Sequence, residues 1–239
     1  MLGEPMVTDA AYRTLDGVKL LESLLPAERE TVAAQCRWRR YLPGEQIIDR
    51  QSDSRDVFFV VSGAVRVVIY SLSGREVALD DIHAGGVFGE LAALDGNPRS
   101  ASVMAVGETT VASLTHEQFF TLLRGHPDVA LAVMQRLANI VRTATTRILD
   151  LSTLGANNRV HADLLQLTRS APLTAEGFAA ISPIPVHSDI AARVSTTRET
   201  VARVLNDLSR KKIVRRDQNA LVVLDVERLS EMVEEVRGE

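Results

Sequence analysis

Seven positions, Leu131, Met134, Ala138, Val141, Thr145, Ile148 and Ser152, recur at alternating spacings of three and four. Residues so spaced share one face of a helix, and repeated this way they form a heptad seam. Pro127 opens the run at a favourable first-turn position, and the helical pattern continues to about Leu154. Met134, Val141 and Ile148 fill the d-type positions, while the a-type positions become small or polar at Ala138, Thr145 and Ser152. Such a seam associates, but not tightly. A core-facing stripe gives the same spacing and is the commoner origin of it; a dimer helix is the other reading of the same residues.

Before the seam the pattern is different. Leu15 to Cys36 is helical in pattern, with Pro26 starting a second helix, and residues 1–9 look unstructured. From Trp38 to about Leu114 the chain reads as short strands. Val57–Val61 and Ala64–Tyr70 are β-branched and aromatic and are split by Ser62-Gly63. Ser71 to Gly74 is a hairpin signal before a strand at Glu76–Leu79, and Gly85-Gly86 marks another turn. Many short strands with glycine turns predict a β-roll or barrel. Thr115 to Arg124 reads as a short helix stopped by Gly125.

Inside the strand region, Val87 to Val103 couples a carboxylate, Glu90, and a guanidinium, Arg99, to a glycine-led helical turn. Glu90 can accept a hydrogen bond from a ribose hydroxyl. Arg99 can make a two-pronged contact with a phosphate. The run Leu91–Leu94 reads as one helical turn whose free N–H groups favour the same anion, and Gly89 allows close backbone approach. A buried Arg99–Glu90 ion pair is the competing reading of these two residues.

After the seam, residues 155–158 (Gly-Ala-Asn-Asn) break the pattern and read as a hinge. Arg159 to Ser170 is helical, and Ala171 to Pro185, with three prolines and a glycine, is loop with room for a short strand. Ser188–Val194 reads as a short helix, Ser195-Thr196 as turn and cap, and Thr197–Leu208 as a stronger helix. Val201, Val204, Leu205 and Leu208 form its inward face, leaving Arg198, Glu199 and Arg203 outside it. Arg can donate to guanine and Glu can accept from the cytosine amino group, while Thr197 and Thr200 suit phosphate contacts. A solvated charged face is the plainer account of the same spacing. Ile213–Arg216 and Leu221–Leu224, split around Asp217–Asn219, read as a hairpin wing.

The segment Phe88-Gly89-Glu90-Leu91-Ala92, followed by a turn ending Pro98-Arg99, a small residue and Ala101, strongly resembles the phosphate-binding cassette of cyclic-nucleotide-binding domains. Leu42-Pro-Gly44-Glu45 and Ser62-Gly63-Ala64-Val65 stand where that family places structural glycines; Gln51 departs from a glycine usual at a strand bend. Thr197 to Arg203 resembles the recognition helix of the Crp/Fnr family of transcription regulators. The resemblance implies an α+β chain: a cyclic-nucleotide-binding β-roll with a long dimerisation helix (residues 1–154, the helix about 127–154), a hinge (155–158) and a winged helix-turn-helix domain (159–239). It implies a ligand held by Phe88, Gly89, Glu90, Leu91, Arg99, Ser100 and Ala101, with the base near Ala144 and Thr145. Cyclic AMP is the expected ligand and cyclic GMP the alternative; Ala144 replaces a hydroxyl and leaves purine preference open. It further implies DNA contacts by His187, Thr197, Arg198, Glu199, Thr200 and Arg203 on an inverted TGTGA-like repeat, a homodimer, and RNA polymerase as a partner of the Pro172–Pro185 loop.

Composition sets bounds. The 239 residues suffice for two domains of ordinary size. The net charge of −4 argues weakly against nucleic acid, but Thr196 to Arg216 holds seven basic and two acidic residues, a local excess of +5. No apolar run approaches the roughly 18 residues of a membrane span, and no secretory signal is visible, so a cytoplasmic address without membrane partner is expected. One cysteine, Cys36, leaves no internal disulfide and reads as a partly buried thiol. The five histidines (83, 116, 126, 161 and 187) are scattered without ligand spacing, so no metal or other cofactor is expected. His187-Ser188-Asp189 are consecutive and point apart on a helix, so no catalytic triad and no enzyme is read. Two alternatives stay open: a Crp/Fnr regulator answering another signal or none, and a nucleotide sensor acting on a protein.

Overall fold

The computed structural model describes residues 13–71, 76–169 and 171–237. The readings for residues 1–9, for the turn at 72–74 and for Ser170 lie outside these. The described residues form two compact units, those within 1–74 and 79–138, and those within 75–78 and 139–239.

The first unit begins with a 3-10 turn at Lys19–Leu21 and α1 at Pro26–Gln35. The expectation of helix from Leu15 is therefore corrected: Gly17 sits at φ +85° and Pro26 restarts the backbone, leaving only one short turn between them. Then come β1 (Arg37–Tyr41), β2 (Gln46–Ile48), β3 (Val57–Ser62), β4 (Ala64–Tyr70), β5 (Glu76–His83), β6 (Val87–Phe88), α2 (Glu90–Asp95), β7 (Ser102–Ala105), β8 (Thr109–Leu114) and α3 (His116–Gly125). One sheet has the order β1-β8-β3-β6 and the other β2-β7-β4-β5. A single apolar cluster, including Tyr41, Ile48, Val60, Val65, Ile82, Phe88, Val103 and Val111, draws on all eight strands and lies between the two sheets. This is the expected roll.

Strand β3 explains its own apolar run. Val57 and Phe59 pack with Leu21, Leu114, Phe119, Val129 and Val133 under the helices, whereas Val60 faces the other sheet. Both faces are buried, so polar alternation disappears. Gly63, at φ +79°, follows because a Cβ there would run into the Glu108 carbonyl. Helix α3 is closed by a capping box: Thr115 Oγ1 accepts from the Gln118 backbone and Gln118 Oε1 from the Thr115 backbone.

Helix α4 spans Pro127–Thr153 and is buried only at Val129 and Val133. The seam residues beyond them lie exposed on the single chain, Met134 at 58%, Val141 at 64% and Ile148 at 65%. The two compact units divide within this helix, at 138/139, rather than at its end.

The second unit continues with α5 (Ala156–Thr168), β9 (Ala179–Ile181), α6 (His187–Arg193), α7 (Arg198–Arg210), β10 (Val214–Arg216), β11 (Leu221–Val223) and α8 (Val226–Arg237). The helical break is shorter than expected: Gly155 caps α5, and Ala156–Asn158 are its first turn. Strands β10, β11 and β9 form one antiparallel sheet, so the wing pair gains a third strand. Val160, Leu164, Ile190, Val201, Leu208 and Leu229 build its core. Helix α8 is an addition to the elements expected from sequence. Its signal is present there, for Leu229, Met232, Val233 and Val236 carry helical spacing, and Leu229 and Val233 are buried.

Candidate nucleotide cassette and nucleic-acid interface

The cassette starts where β6 ends. The Phe88 ring stacks on Phe58 with centroids 5.0 Å apart. Gly89 then turns the chain at φ +83°, and a Cβ there would stand 2.8 Å from Arg99 Nη1 and 2.9 Å from the Asp56 carbonyl oxygen. Glycine is thus required twice, by the left-handed backbone and by the close guanidinium. Helix α2 follows, placing Glu90 in the interior at 4% exposure.

Arg99 is equally buried. Its Nη1 donates to the Gly89 carbonyl at 2.8 Å, Nη2 donates to the Asp56 carbonyl at 2.8 Å, and Nε and Nη2 both reach Ser54 Oγ, at 3.3 and 3.1 Å. Burial lowers the Arg99 pKa from its ordinary value, opposed by Asp56 and Glu90, and the group stays a cation. It does not pair with Glu90. Glu90 Oε1 accepts instead from Arg136 Nε of α4 at 2.9 Å. The ion-pair reading of Arg99 and Glu90 is therefore corrected. Ser54, the Asp56 carbonyl and Arg136 are partners that sequence reasoning does not find, since each lies more than 40 residues from the residue it holds.

Among the other candidate ligand residues, Ala101 is buried, while Leu91, Ser100, Ala144 and Thr145 are exposed. Thr145 Oγ1 donates back to the Val141 carbonyl at 2.9 Å. Cys36 is half-buried, and burial pushes its thiol up to about 12, so it remains protonated near neutrality.

In the second unit α6 and α7 form a helix-turn-helix. Thr197 is not the first helical residue, as expected, but the N-cap of α7: its hydroxyl accepts from the Thr200 backbone at 3.2 Å. Arg198, Glu199 and Arg203 are exposed, and Val201, Val204 and Leu208 are buried, so the inward and outward faces are those expected. The Glu199 carboxyl is held below its usual range by its own backbone N–H, then by Thr197 and, more weakly, by Arg198, which keeps it an ionised acceptor. Arg203 Nη2 reaches Thr200 Oγ1 at 3.4 Å. His187 is the first residue of α6 and is half-buried. An open groove of about 600 Å³ is lined by Arg203, Asn206, Ser209 and Arg210. Part of the basic run is already engaged: Asp207 pairs with Arg210 and Lys211, and Arg215 with Glu176 and Asp217.

The model of the cyclic nucleotide-binding domain matches residues 38–126, and that of the Crp-like helix-turn-helix domain matches residues 158–232. The cyclic AMP receptor protein of Thermus thermophilus is 33% identical over 218 residues, covering 91% of this chain and 98% of that protein. The chain belongs to the Crp/Fnr family of transcription regulators. Among solved structures, FixK2 from Bradyrhizobium japonicum superposes on this Crp/Fnr regulator with a TM-score of 0.70 at 26% identity, covering 82% of this chain and 96% of that one. A CooA mutant from Carboxydothermus hydrogenoformans shares the fold with a TM-score of 0.76 at 24% identity, over 85% and 90%.

The Crp/Fnr regulator is thus a DNA-binding transcription regulator with a cyclic nucleotide-binding domain, and its relatives are regulators, not enzymes. Among the described residues no helix is long and apolar enough to cross a membrane, and no group of three His, Cys, Asp or Glu could hold a metal ion.

Proposed function

We propose that this Crp/Fnr regulator is a cytoplasmic homodimer that binds cyclic AMP and, in response, an inverted TGTGA-like repeat. The observation that carries the reading is two buried opposite charges that do not pair with each other, Glu90 next to Gly89 and Arg99 donating to the Gly89 carbonyl, inside the segment matched to the nucleotide-binding domain. Arg99 and Ser100 take the cyclic phosphate; with four of its five N–H groups engaged by Ser54, Gly89 and Asp56, Arg99 offers it one Nη1 hydrogen and not the two-pronged contact expected from sequence. Glu90 takes the ribose hydroxyl; Phe88, Gly89, Leu91 and Ala101 shape the wall; Ala144 and Thr145 lie beside the base. The cyclic AMP named for the Thermus thermophilus relative supports adenine over guanine.

Residues 1–154 then act as sensor and dimer helix, and residues 159–239 as reader, joined across 155–158. Arg198, Glu199 and Arg203 read base edges, and His187, Thr197 and Thr200 contact phosphates. A dimer on the α4 seam sets two α7 helices about one DNA turn, roughly 34 Å, apart. RNA polymerase is the partner of the 172–185 loop, by family analogy.

A full switch from 1:99 to 99:1 needs about 5.5 kcal/mol of differential binding. One charge-assisted contact contributes roughly 1.5–3 kcal/mol, so Arg99 requires help from seam contacts. Calorimetric titration with cyclic AMP and cyclic GMP, with and without a duplex carrying the repeat, tests the reading. Tight cyclic AMP binding that strengthens duplex binding, and its loss in Arg99→Ala, supports it. A duplex affinity indifferent to both nucleotides overturns the ligand assignment in favour of a regulator answering another signal.

A further inference from the structure

The end of the first reader helix is held from outside the helix-turn-helix. Arg147 Nη2 donates to the Arg193 carbonyl at 2.7 Å. Arg159 Nε donates to the Val194 carbonyl at 2.8 Å, and its Nη2 to the Ser195 carbonyl at 3.2 Å. Three consecutive carbonyls are thus taken by two guanidiniums. Each guanidinium also reaches back along the chain. Arg147 Nη1 donates to the Ala78 carbonyl of β5 at 2.7 Å, and Arg159 Nη1 to the Leu154 carbonyl, just past α4, at 2.8 Å.

Arg193 ends α6 and Val194 is its C-cap, so their carbonyls lie at the negative end of the helix dipole, where the helix offers no further N–H; the Ser195 carbonyl lies one residue beyond. Helix α6 closes with Thr196 N–H donating to the Ala191 carbonyl at 3.0 Å, around Ser195 at φ +53°. A residue with a Cβ is disfavoured in that left-handed conformation, so local preference does not select this turn. The two cations hold carbonyls on both sides of the φ-positive bond, in addition to the turn's own Thr196–Ala191 hydrogen bond. Two residues after Ser195 stands Thr197, the cap of α7, so the direction of α7 is set within this clamped stretch. Arg159 spends Nε, Nη1 and Nη2 on three carbonyls, a planar fan that one ammonium cannot reproduce.

We propose that Arg147 and Arg159 are positioning residues for DNA reading: together they clamp carbonyls 193–195 and fix the direction in which α7 leaves the turn, tying it to the far end of the long helix. The inference rests on the proposed reading that α7 contacts bases. Neither arginine touches DNA in it.

The test uses the full chain with Arg159→Gln, Arg159→Lys and Arg147→Gln. Hydrogen exchange is followed at the amides of residues 194–201. Binding to a duplex with the inverted TGTGA-like repeat and to a scrambled duplex is measured by anisotropy across salt, with cyclic AMP present. In Arg159→Gln, exchange at 194–201 should quicken by at least about tenfold, what the loss of a single charge-assisted bond gives, while amides of α5 beyond its first turn stay protected. Affinity for the repeat should fall by about tenfold or more, with scrambled-duplex affinity and salt slope unchanged. Arg159→Lys should recover part of both, and Arg147→Gln should lose less, having one carbonyl of the three. If Arg159→Gln does not fold, the other two variants carry the same measurements. Unchanged exchange at 194–201 overturns the clamp. Equal loss on both duplexes with a shallower salt slope overturns it too, making the arginine a phosphate contact. A wild-type chain that does not distinguish the duplexes defeats the proposed function instead, and the exchange measurement still decides the clamp.

Discussion

Arg136 Nε donates to Glu90 Oε1 at 2.9 Å, so the buried carboxylate of the nucleotide cassette is neutralised from the long helix and not by Arg99. The Glu90 side chain is 5% exposed and that of Arg136 26%. Removing the cation strands a buried charge, which costs more than the pair contributes net. Arg136→Ala should destabilise the first unit by about 1–3 kcal/mol in urea unfolding, less than a fully buried pair because Arg136 is partly solvated. Adding Glu90→Gln should recover much of the loss. An additive double variant would show that the pair is not coupled.

Gly89 and Arg99 occupy adjoining space, and Gly89→Ala tests that packing. A methyl 2.8 Å from Nη1 and a strained left-handed backbone act together, and the guanidinium must move. The strain alone costs about 1–2 kcal/mol. Nucleotide affinity should drop at the same time, because the displaced Arg99 no longer presents its remaining Nη1 hydrogen. Wild-type affinity by calorimetry in this variant would mean that Arg99 does not position the ligand.

The exposed seam makes a separate prediction. Val141→Glu alters a residue 64% exposed on the single chain, so the fold of each protomer should change in stability by less than about 0.5 kcal/mol. Two such carboxylates facing each other across a seam repel without compensation. Sedimentation should therefore show monomers at concentrations where the proposed wild-type dimer forms. A variant that remains dimeric removes the seam from the interface.

His161 supplies a pH dependence. Burial, and then Lys211, hold its imidazole below the ordinary value of 6.5, opposed by Asp207. Its Nδ1 has no hydrogen-bond partner among the described residues. The unfolded chain takes up the proton first. Stability is therefore full above pH 6.5 and falls as the pH drops below it towards the folded value, with a slope of at most about 1.4 kcal/mol per pH unit. Urea unfolding of the second unit at pH 7.5, 6.5 and 5.5 should show the decline, and His161→Gln should flatten that part of it. A wild-type profile that rises on acidification contradicts the assignment.

Much of the local structure of the candidate site is legible in the amino-acid order alone. The cassette is a contiguous string, and its glycine, carboxylate and guanidinium carry their chemistry in their order. The inward face of α7 follows from four apolar positions at helical spacing. Legibility fails in three ways. The apolar residues from Leu15 to Leu24 carry a helix-like pattern, yet Gly17 and Pro26 confine helix there to one short turn. Helix α8 escapes notice although its spacing is present, because a wing reads as the end of the domain. The partners of the key charges are not legible at all: Arg99 to Ser54, Arg136 to Glu90, Arg147 to Ala78 and Arg159 to Val194 join residues 35 to 69 positions apart.

The sequence by itself determined the order of a strand-built half, a long seam-bearing helix and a helical half with a wing. Periodicity and turn residues are local, and each short stretch states its own preference. Only the tertiary structure decided which carbonyl or carboxylate each arginine meets. A guanidinium carries five donors and no address of its own. Where the chain brings acceptors within about 3 Å, burial makes an unmade bond expensive, and that cost selects the partner. Glu90 with Arg136, Arg99 with the Asp56 carbonyl, and the clamp on residues 193–195 are all choices of that kind.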